Sequence, residues 1–272
     1  MMYGARDLTV ELGGATALSD VSVAVPSGEV TAVVGGDGAG KTTLLRALLG
    51  RVAAVRGTVD VPPAPRIGHE PFTSGVWPTL TVRENVEFVG SAYGMSAAGI
   101  RTRAADLLAT AGLDDVRDRL GRDLSGGMRQ KLGFCLAMLH TPDLLLLDEP
   151  STGVDPVSRV ELWRLITQAA RSGAAVLMTT TYLDEAERAA TVVALQDGQV
   201  LATGRPTDVV GTVPGTVSVG DDPPGGHDRT WRRGRSFHTW TPDGATAPGR
   251  PVTPDLEDTL IALTLARQEE TR

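Results

Sequence analysis

The run Gly-Gly-Asp-Gly-Ala-Gly-Lys-Thr at residues 35–42 constrains the fold of this chain more than any other feature. It follows a nearly continuous apolar run at residues 30–34, which is typical of a strand buried on both faces. The leucines of residues 42–49 then recur at helical spacing, and Gly50 is a suitable C-terminal cap. The pattern Gly-x4-Gly-Lys-Thr between a strand and a helix indicates a phosphate-binding loop, and therefore an α/β fold.

The residue types in this loop suit the binding of phosphate. Glycines let successive backbone N–H groups turn toward the anion, the helix N-terminus adds a positive field, and Lys41 supplies a point charge. The hydroxyl of Thr42 is expected to be a ligand for Mg²⁺. A glycine-rich turn that ends in Lys-Thr by chance is the alternative, and the flanking strand and helix argue against it. The residues expected to contact the nucleotide are Gly35, Gly36, Asp37, Gly38, Ala39, Gly40, Lys41, Thr42 and Thr43.

A second motif is the apolar run at residues 144–147, which ends in Asp148 and Glu149. It predicts a buried strand that carries two carboxylates at its C-terminal end, the edge where open α/β sheets bind ligands. Asp148 is expected to hold the metal, and Glu149 to orient or deprotonate an attacking water. Two exposed surface acids would be the simpler interpretation of this pair alone. A phosphate loop about a hundred residues earlier favours the functional one.

The third motif is Ser125-Gly126-Gly127, which precedes an amphipathic helical pattern. Backbone amides and a serine hydroxyl at a helix start can meet a phosphate group. An ordinary N-cap would explain this segment by itself.

The three motifs together, in this order, resemble the ATP-binding cassette of ABC transporters. The resemblance runs from about residue 5 to residue 211. Residues 151–155, Ser-Thr-Gly-Val-Asp, look like the D-loop of that family, and residues 77–85 look like the start of its helical subdomain, with Thr79 or Thr81 as N-cap. Residues 182–186 and 254–258 are most similar to the bacterial drug- and antibiotic-export branch.

The resemblance implies a phosphate-loop NTPase core, which is a mostly parallel sheet with an N-terminal antiparallel β subdomain and an inserted helical subdomain near 76–140. Residues 1–211 are then the ATP-binding domain. After Gly211 the composition shifts toward Gly, Pro, Asp and Arg, so residues 212–272 are expected to be an extension that ends in a helix over 254–267. A helix over 182–189 and a hairpin over 192–202 are also predicted.

The family further implies a head-to-tail dimer in which each cassette binds ATP and Mg²⁺. Residues of one cassette contact the ATP held by the other, and their positions here are Ser125, Gly126, Gly127 and Asp155. The dimer passes its motion to integral-membrane permease subunits. The second cassette is either the same chain or a different one.

Three positions depart from the family pattern. Leu12 replaces the aromatic residue that stacks on adenine, although a leucine can still cover the base. Phe72 replaces the glutamine of the Q-loop in residues 67–72, where Glu70 is a nearby substitute ligand, and Thr181 replaces the switch histidine as a candidate catalytic group. Losing one well-placed donor costs roughly 10²–10³ in rate, so hydrolysis is expected to be slow.

Two functions therefore remain open on the sequence: an ATP-hydrolysing subunit of an exporter, or a degenerate regulatory half of an asymmetric cassette dimer that mainly binds ATP. A soluble cassette that acts on nucleic acid is disfavoured, because the net charge is −7. No apolar run approaches the roughly 18 residues of a membrane span, and the N-terminus lacks a signal peptide. We expect a cytoplasmic protein, peripheral on the inner face of the cell membrane through its partner.

Two smaller features carry predictions of their own. Cys135, the single cysteine, excludes an internal disulfide and is expected to be buried and inert, because its neighbours are apolar. Residues 231–235, Trp-Arg-Arg-Gly-Arg, form a basic and aromatic segment. A solvated, arginine-rich strand is favoured there over a small basic binding surface.

Overall fold

The computed structural model describes residues 1–221 and 227–270. The strands are β1 (Met2–Leu12), β2 (Ala15–Pro26), β3 (Val30–Val34), β4 (Arg56–Asp60), β5 (Ile67–Glu70), β6 (Leu144–Asp148), β7 (Ala175–Thr180), β8 (Thr191–Gln196), β9 (Gln199–Gly204), β10 (Thr216–Gly220), β11 (Thr230–Arg233), β12 (Ser236–Thr241) and β13 (Arg250–Pro251). The α-helices are α1 (Lys41–Leu48), α2 (Val82–Ala92), α3 (Ala97–Ala111), α4 (Gly126–Met138), α5 (Pro156–Arg171), α6 (Leu183–Ala186), α7 (Pro206–Val210) and α8 (Leu256–Glu270).

The central sheet has six strands in the order β5-β6-β7-β3-β8-β9, and only β9 runs antiparallel to its neighbour. Every residue of β3, β6 and β7 is buried, as the apolar runs at residues 30–34 and 144–147 predict for the first two strands. In β6, Leu145 and Leu147 enter one hydrophobic core, whereas Leu144 and Leu146 enter the other, on the opposite face. The fold is therefore the expected α/β architecture with a mostly parallel sheet.

The register of the parallel strands brings their C-terminal ends together. Val34 of β3 pairs with Thr180 of β7, and Asp148 of β6 pairs with Thr179 of the same strand. The loops that leave β3, β6 and β7 consequently start side by side at one edge of the sheet.

The N-terminal strands form a separate antiparallel sheet in the order β2-β1-β4. Leu8 and Val10 of β1 pack in the same core as Leu44 and Leu48 of α1, so this sheet covers the helix that follows the phosphate loop. The predicted β subdomain is confirmed.

Helices α2, α3 and α4 lie between β5 and β6 in the chain and form the inserted helical subdomain. Of the two candidate N-caps, Thr81 caps α2, and it does so in a capping box: its hydroxyl accepts from the Glu84 amide while the Glu84 carboxylate accepts from the Thr81 amide. The helix predicted over 182–189 is wrong in length, since α6 has a single turn. After this turn the chain joins the central sheet: the Ala190 amide donates to the Val30 carbonyl (2.9 Å) immediately before β8.

The C-terminal residues form a four-stranded antiparallel sheet, β11-β12-β10-β13, against which α8 packs. Trp231 and Arg233 are half-buried rather than solvated, and both contact α8. The Trp231 indole donates to Asp258 (3.2 Å), and Arg233 pairs with Asp255 (2.7 Å) and Asp258 (3.1 Å). The prediction of a solvated strand is therefore wrong for these two residues, because the acidic first turn of α8 supplies their partners.

Glu70, at the end of β5, has a fully buried side chain with no hydrogen-bond partner within the described part of the chain. It lies against α4, since a Cβ on Gly133 would stand 2.7 Å from its Oε1. Burial raises the pKa of the Glu70 carboxyl well above 4.5. Cys135 is buried nearby, and burial with the charge of Glu70 raises the pKa of its thiol to about 12, as expected for an inert cysteine.

The Glu70→Gln variant should change how stability depends on pH. A carboxyl whose folded pKa is raised binds its proton more tightly in the folded state, so its stabilisation is lost as pH rises above 4.5. The midpoint of urea unfolding, measured from pH 5 to pH 8, should fall more steeply for wild type than for the variant. The physical reason is that the unfolded chain releases this proton over a pH range in which the folded chain retains it.

Glu84→Gln is the matched control, because its capping partner Thr81 lowers the pKa of that carboxyl. The stabilisation that Glu84 provides is lost only as the pH falls below the ordinary pKa of a glutamate, 4.5. This variant should therefore leave the pH dependence of the urea midpoint between pH 5 and pH 8 unchanged. Equal slopes for wild type and Glu70→Gln would contradict the prediction.

Candidate nucleotide site

The phosphate loop connects β3 to α1 and is packed closely on both sides. Gly40 is the N-cap of α1 and has a φ of 105°, which favours glycine. A Cβ on Gly40 would stand 2.6 Å from Leu18, and one on Gly35 would stand 2.4 Å from the Leu195 carbonyl oxygen. These close approaches fix the path of the loop backbone.

A cleft of about 440 Å³ opens over this loop. Eight of the nine predicted loop residues line it, whereas Gly35 lines a neighbouring groove. Four further lining residues were not predicted: Thr16, Ala17, Asp197 and Gly198. The hairpin turn at residues 197–198 was predicted, but only the tertiary fold brings it here, where the Gly198 amide donates to the Ala39 carbonyl (3.1 Å). Leu12, at the end of β1, is 39% exposed and does not line the cleft.

Lys41 is held at the base of the cleft and is 6% exposed. Its ammonium donates to the carbonyls of Gly35 (2.7 Å) and Gly36 (3.1 Å) and pairs with Glu149 Oε1 (3.2 Å). A buried lysine keeps its charge only when such partners replace water. The phosphate loop and the acidic pair of β6 therefore meet at this one cation.

Asp148 lies beside the loop in a network of hydroxyl groups. Thr179 donates to Asp148 Oδ1 (2.8 Å), and Thr42 Oγ1 lies 3.3 Å from Asp148 Oδ2. Hydroxyl and carboxylate oxygens are the ligands that Mg²⁺ prefers, usually one or two from the protein with the rest from phosphate and water. Thr42 and Asp148 therefore offer the oxygen ligands that a magnesium ion takes, and their role as its ligands stays a prediction.

Glu149 is turned toward the cleft by its backbone. Its φ is 49°, and its amide donates to Thr179 Oγ1 (2.9 Å). Its second oxygen, Oε2, accepts from the Thr152 hydroxyl (3.0 Å). The carboxylate predicted to act on water is thus oriented from both sides, by Lys41 and by Thr152.

The residues that differ from the family pattern lie outside this cleft. Phe72 is 55% exposed on the loop after β5. Glu70 is not the substitute ligand that its sequence position allowed, because its carboxyl is buried against the helical subdomain. Thr181 is exposed at the end of β7 and lines a second groove with Gly35 and α8.

The residues predicted to act in trans gather on another surface. Ser125 caps α4 by accepting from the Met128 amide (3.2 Å), and Asp155 caps α5 by accepting from the Ser158 amide (3.0 Å). The two caps adjoin, since a Cβ on Gly127 would stand 2.5 Å from Ser158 Oγ and 3.4 Å from Asp155 Oδ2. Neither these residues nor Gly126 line the cleft of their own chain.

Replacing Lys41 should abolish tight binding of phosphate-bearing ligands. Lys41→Met keeps the apolar stem but removes a charged hydrogen-bond donor. A hydrogen bond to a charged group typically contributes about 1.5–3 kcal/mol, so the affinity should fall roughly 10- to 150-fold. Titration of a fluorescent ATP analogue measures it. Lys131→Met is the matched control, because Lys131, the other lysine of the chain, pairs with Glu161 (2.9 Å) away from the cleft. Equal affinities for the two variants would contradict this role of Lys41.

Comparison with known proteins agrees with this geometry. Residues 18–152 match the family model described as "ABC transporter". A probable multidrug ABC transporter ATP-binding protein of Escherichia coli (strain K12) is 35% identical over 80% of this chain and 39% of its own length. A Nod factor export ATP-binding protein of Cupriavidus metallidurans is 35% identical over 75% of this chain and 71% of its own.

The fold comparison gives the same result. A solved ATP-binding subunit of an ABC transporter superposes with a TM-score of 0.70 at 29% identity, covering 77% of this chain and 92% of the other. With the phosphate loop, the acidic pair and the capped Ser-Gly-Gly helix all in place, the chain belongs to the ABC transporter family, as an ATP-binding cassette.

Proposed function

We propose that this chain binds and hydrolyses ATP as the motor subunit of an ABC exporter. The observation that carries the proposal is the meeting of Lys41, Thr42, Asp148 and Glu149 at the C-terminal edge of β3 and β6. A cation, a hydroxyl and two carboxylates at one glycine loop are the parts that phosphoryl transfer to water requires.

The residues divide the chemistry between them. Amides of the loop and the Lys41 ammonium bind the β- and γ-phosphates, while Thr42 and Asp148 hold Mg²⁺, which neutralises phosphate charge when bound. Glu149 pairs with Lys41 (3.2 Å) in the structure. When phosphate replaces it as the partner of Lys41, the Glu149 carboxylate is free to accept a proton from the attacking water.

A second cassette completes the site in this proposal. Ser125, Gly126, Gly127 and Asp155 share a surface outside the cleft of their own chain, which supports their contacting ATP on a partner cassette. Amides at the capped start of α4 suit a phosphate group. The partner is either a second copy or a different cassette.

The export role rests on the relatives, two of which are named for multidrug and Nod factor export. None of the helices in the described part of the chain has the length and apolar character to cross a membrane. On the names of these relatives, we assign transport to integral-membrane permease subunits, with this chain peripheral on their cytoplasmic side. Nucleic acid is not an expected partner at a net charge of −7. Residues 1–211 form the ATP-binding domain in this proposal, and 212–272 an extension.

A second candidate is the mainly ATP-binding half of an asymmetric cassette dimer. Phe72 and Thr181 favour it, because they stand where the family has two positioning groups and neither lines the cleft. Turnover by the exporter subunit is expected to be slow for the same reason. If this chain is the regulatory half, ATP turnover in a mixture with a complete cassette should survive Glu149→Gln in this chain but not Ser125→Arg.

Glu149→Gln tests the hydrolytic role. The amide cannot accept the proton from water, so release of phosphate by the purified chain or its complex should fall by about 10²–10⁴-fold. Binding of the fluorescent ATP analogue should persist. Unchanged phosphate release would refute Glu149 as the catalytic base.

The double variant Phe72→Gln/Thr181→His tests whether the site is impaired in the natural chain. Restoring two positioning groups should raise the rate at saturating ATP, by roughly 10²-fold or more if each acts as a well-placed donor. Phe88→Gln, which removes another exposed aromatic side chain, is the control for the loss of apolar surface. No gain in the double variant would mean that the present residues already support full turnover.

A further inference from the structure

The carboxylate of Glu185 is buried between two loops of the candidate site, with 1% exposure. Its Oε2 accepts from Ser151 Oγ (2.9 Å) and from Thr180 Oγ1 (2.7 Å), and its Oε1 accepts from Arg159 Nε (3.2 Å). These donors come from three elements: the loop after β6, the end of β7 and the first turns of α5. One side chain therefore joins parts of the chain that lie up to 34 residues apart.

Arg159 closes this network on the outer side. Its Nη2 donates to both carboxylate oxygens of Asp184 (3.0 and 3.1 Å), and its guanidinium lies 4.1 Å from the centre of the Tyr182 ring. Burying a carboxylate is costly unless hydrogen-bond donors replace its water. Glu185 has one guanidinium and two hydroxyl donors, so its burial links the loop after β6, the end of β7 and the start of α5.

Each of the two hydroxyl groups lies close in the chain to residues of the candidate site. Ser151 follows Glu149 by two positions, and its neighbour Thr152 donates to the Glu149 carboxylate (3.0 Å). On the other strand, Thr180 precedes Thr181, and its hydroxyl also accepts from the Tyr182 amide (3.0 Å). Because α6 has a single turn, it has few helical hydrogen bonds of its own. The contacts of Glu185 therefore hold the segment after β7 in place.

From this arrangement we infer that Glu185 is a positioning residue that couples the segment at Thr181 to the loop that carries Glu149 and Asp155. The inference rests on the proposed function, in which those loops act on ATP. Both hydroxyl donors bind the same oxygen of Glu185. A displacement of the Thr181 segment therefore changes the bond that holds Ser151, and with it the orientation of the catalytic carboxylate.

A double-mutant cycle tests the coupling. Ser151→Ala and Thr180→Val each remove one hydroxyl donor with little change of volume, and neither residue lines the nucleotide cleft. Each should lower kcat about tenfold or more without weakening the fluorescent ATP analogue, since small misplacements cost up to about 10²-fold in rate. The double variant should be no slower than the worse single variant, because the two share one interaction.

Hydrogen exchange gives a readout that does not depend on turnover. Thr180→Val, made on β7, should raise amide exchange at residues 151–155 on the order of tenfold, as expected for local opening. Glu187→Gln, an exposed acid two residues after Glu185, is the control and should change neither measurement.

The outcomes separate the inference from the proposed function. Effects on kcat that multiply in the double variant, with unchanged exchange at 151–155 in Thr180→Val, would overturn the coupling. A loss of analogue affinity at constant kcat would overturn it as well, because it would indicate a general structural role. If wild type releases no phosphate, the proposed hydrolysis fails, and the exchange measurement alone decides the coupling.

Discussion

The parallel register of β3, β6 and β7 is the constraint on which the site depends. The strands are buried on both faces, so their side chains are committed to two cores and no strand can slide without exposing apolar surface. That fixed register pairs Val34 with Thr180 and Asp148 with Thr179. The phosphate loop, the acidic pair and the Thr181 segment therefore emerge next to one another, although the chain separates Thr42 from Asp148 by 106 residues.

Charge compensation then binds these neighbours together. Lys41, Asp148 and Glu185 are nearly buried, and each is surrounded by donors or acceptors from a different loop. Breaking a buried pair leaves an uncompensated charge, which costs far more than a surface ion pair gains. These buried polar side chains thus hold the loops around the candidate site in place. Glu70 is the exception, since its buried carboxyl has no such donors in the described residues.

In the C-terminal extension, polar and charged side chains likewise hold two separate segments of the chain together. Trp231 and Arg233 of β11 hold the acidic first turn of α8, and α8 in turn lines the groove that contains Thr181. A segment whose local sequence predicts solvation is half-buried because its partners follow 22 to 27 residues later. Only the packed structure brings the two together.

The sequence by itself determined the α/β class, the phosphate loop, the acidic pair and the helix starts. Local patterns in the sequence predict these features: apolar runs, glycine spacing and capping boxes such as Thr81 with Glu84. The tertiary structure alone decided which distant residues complete the site. It brought the turn at Asp197 into the cleft, turned Glu70 away from it, and joined Ser151 to Thr180 through Glu185. The physical reason is that sheet order and strand register are set by the burial of both cores, which no local pattern encodes.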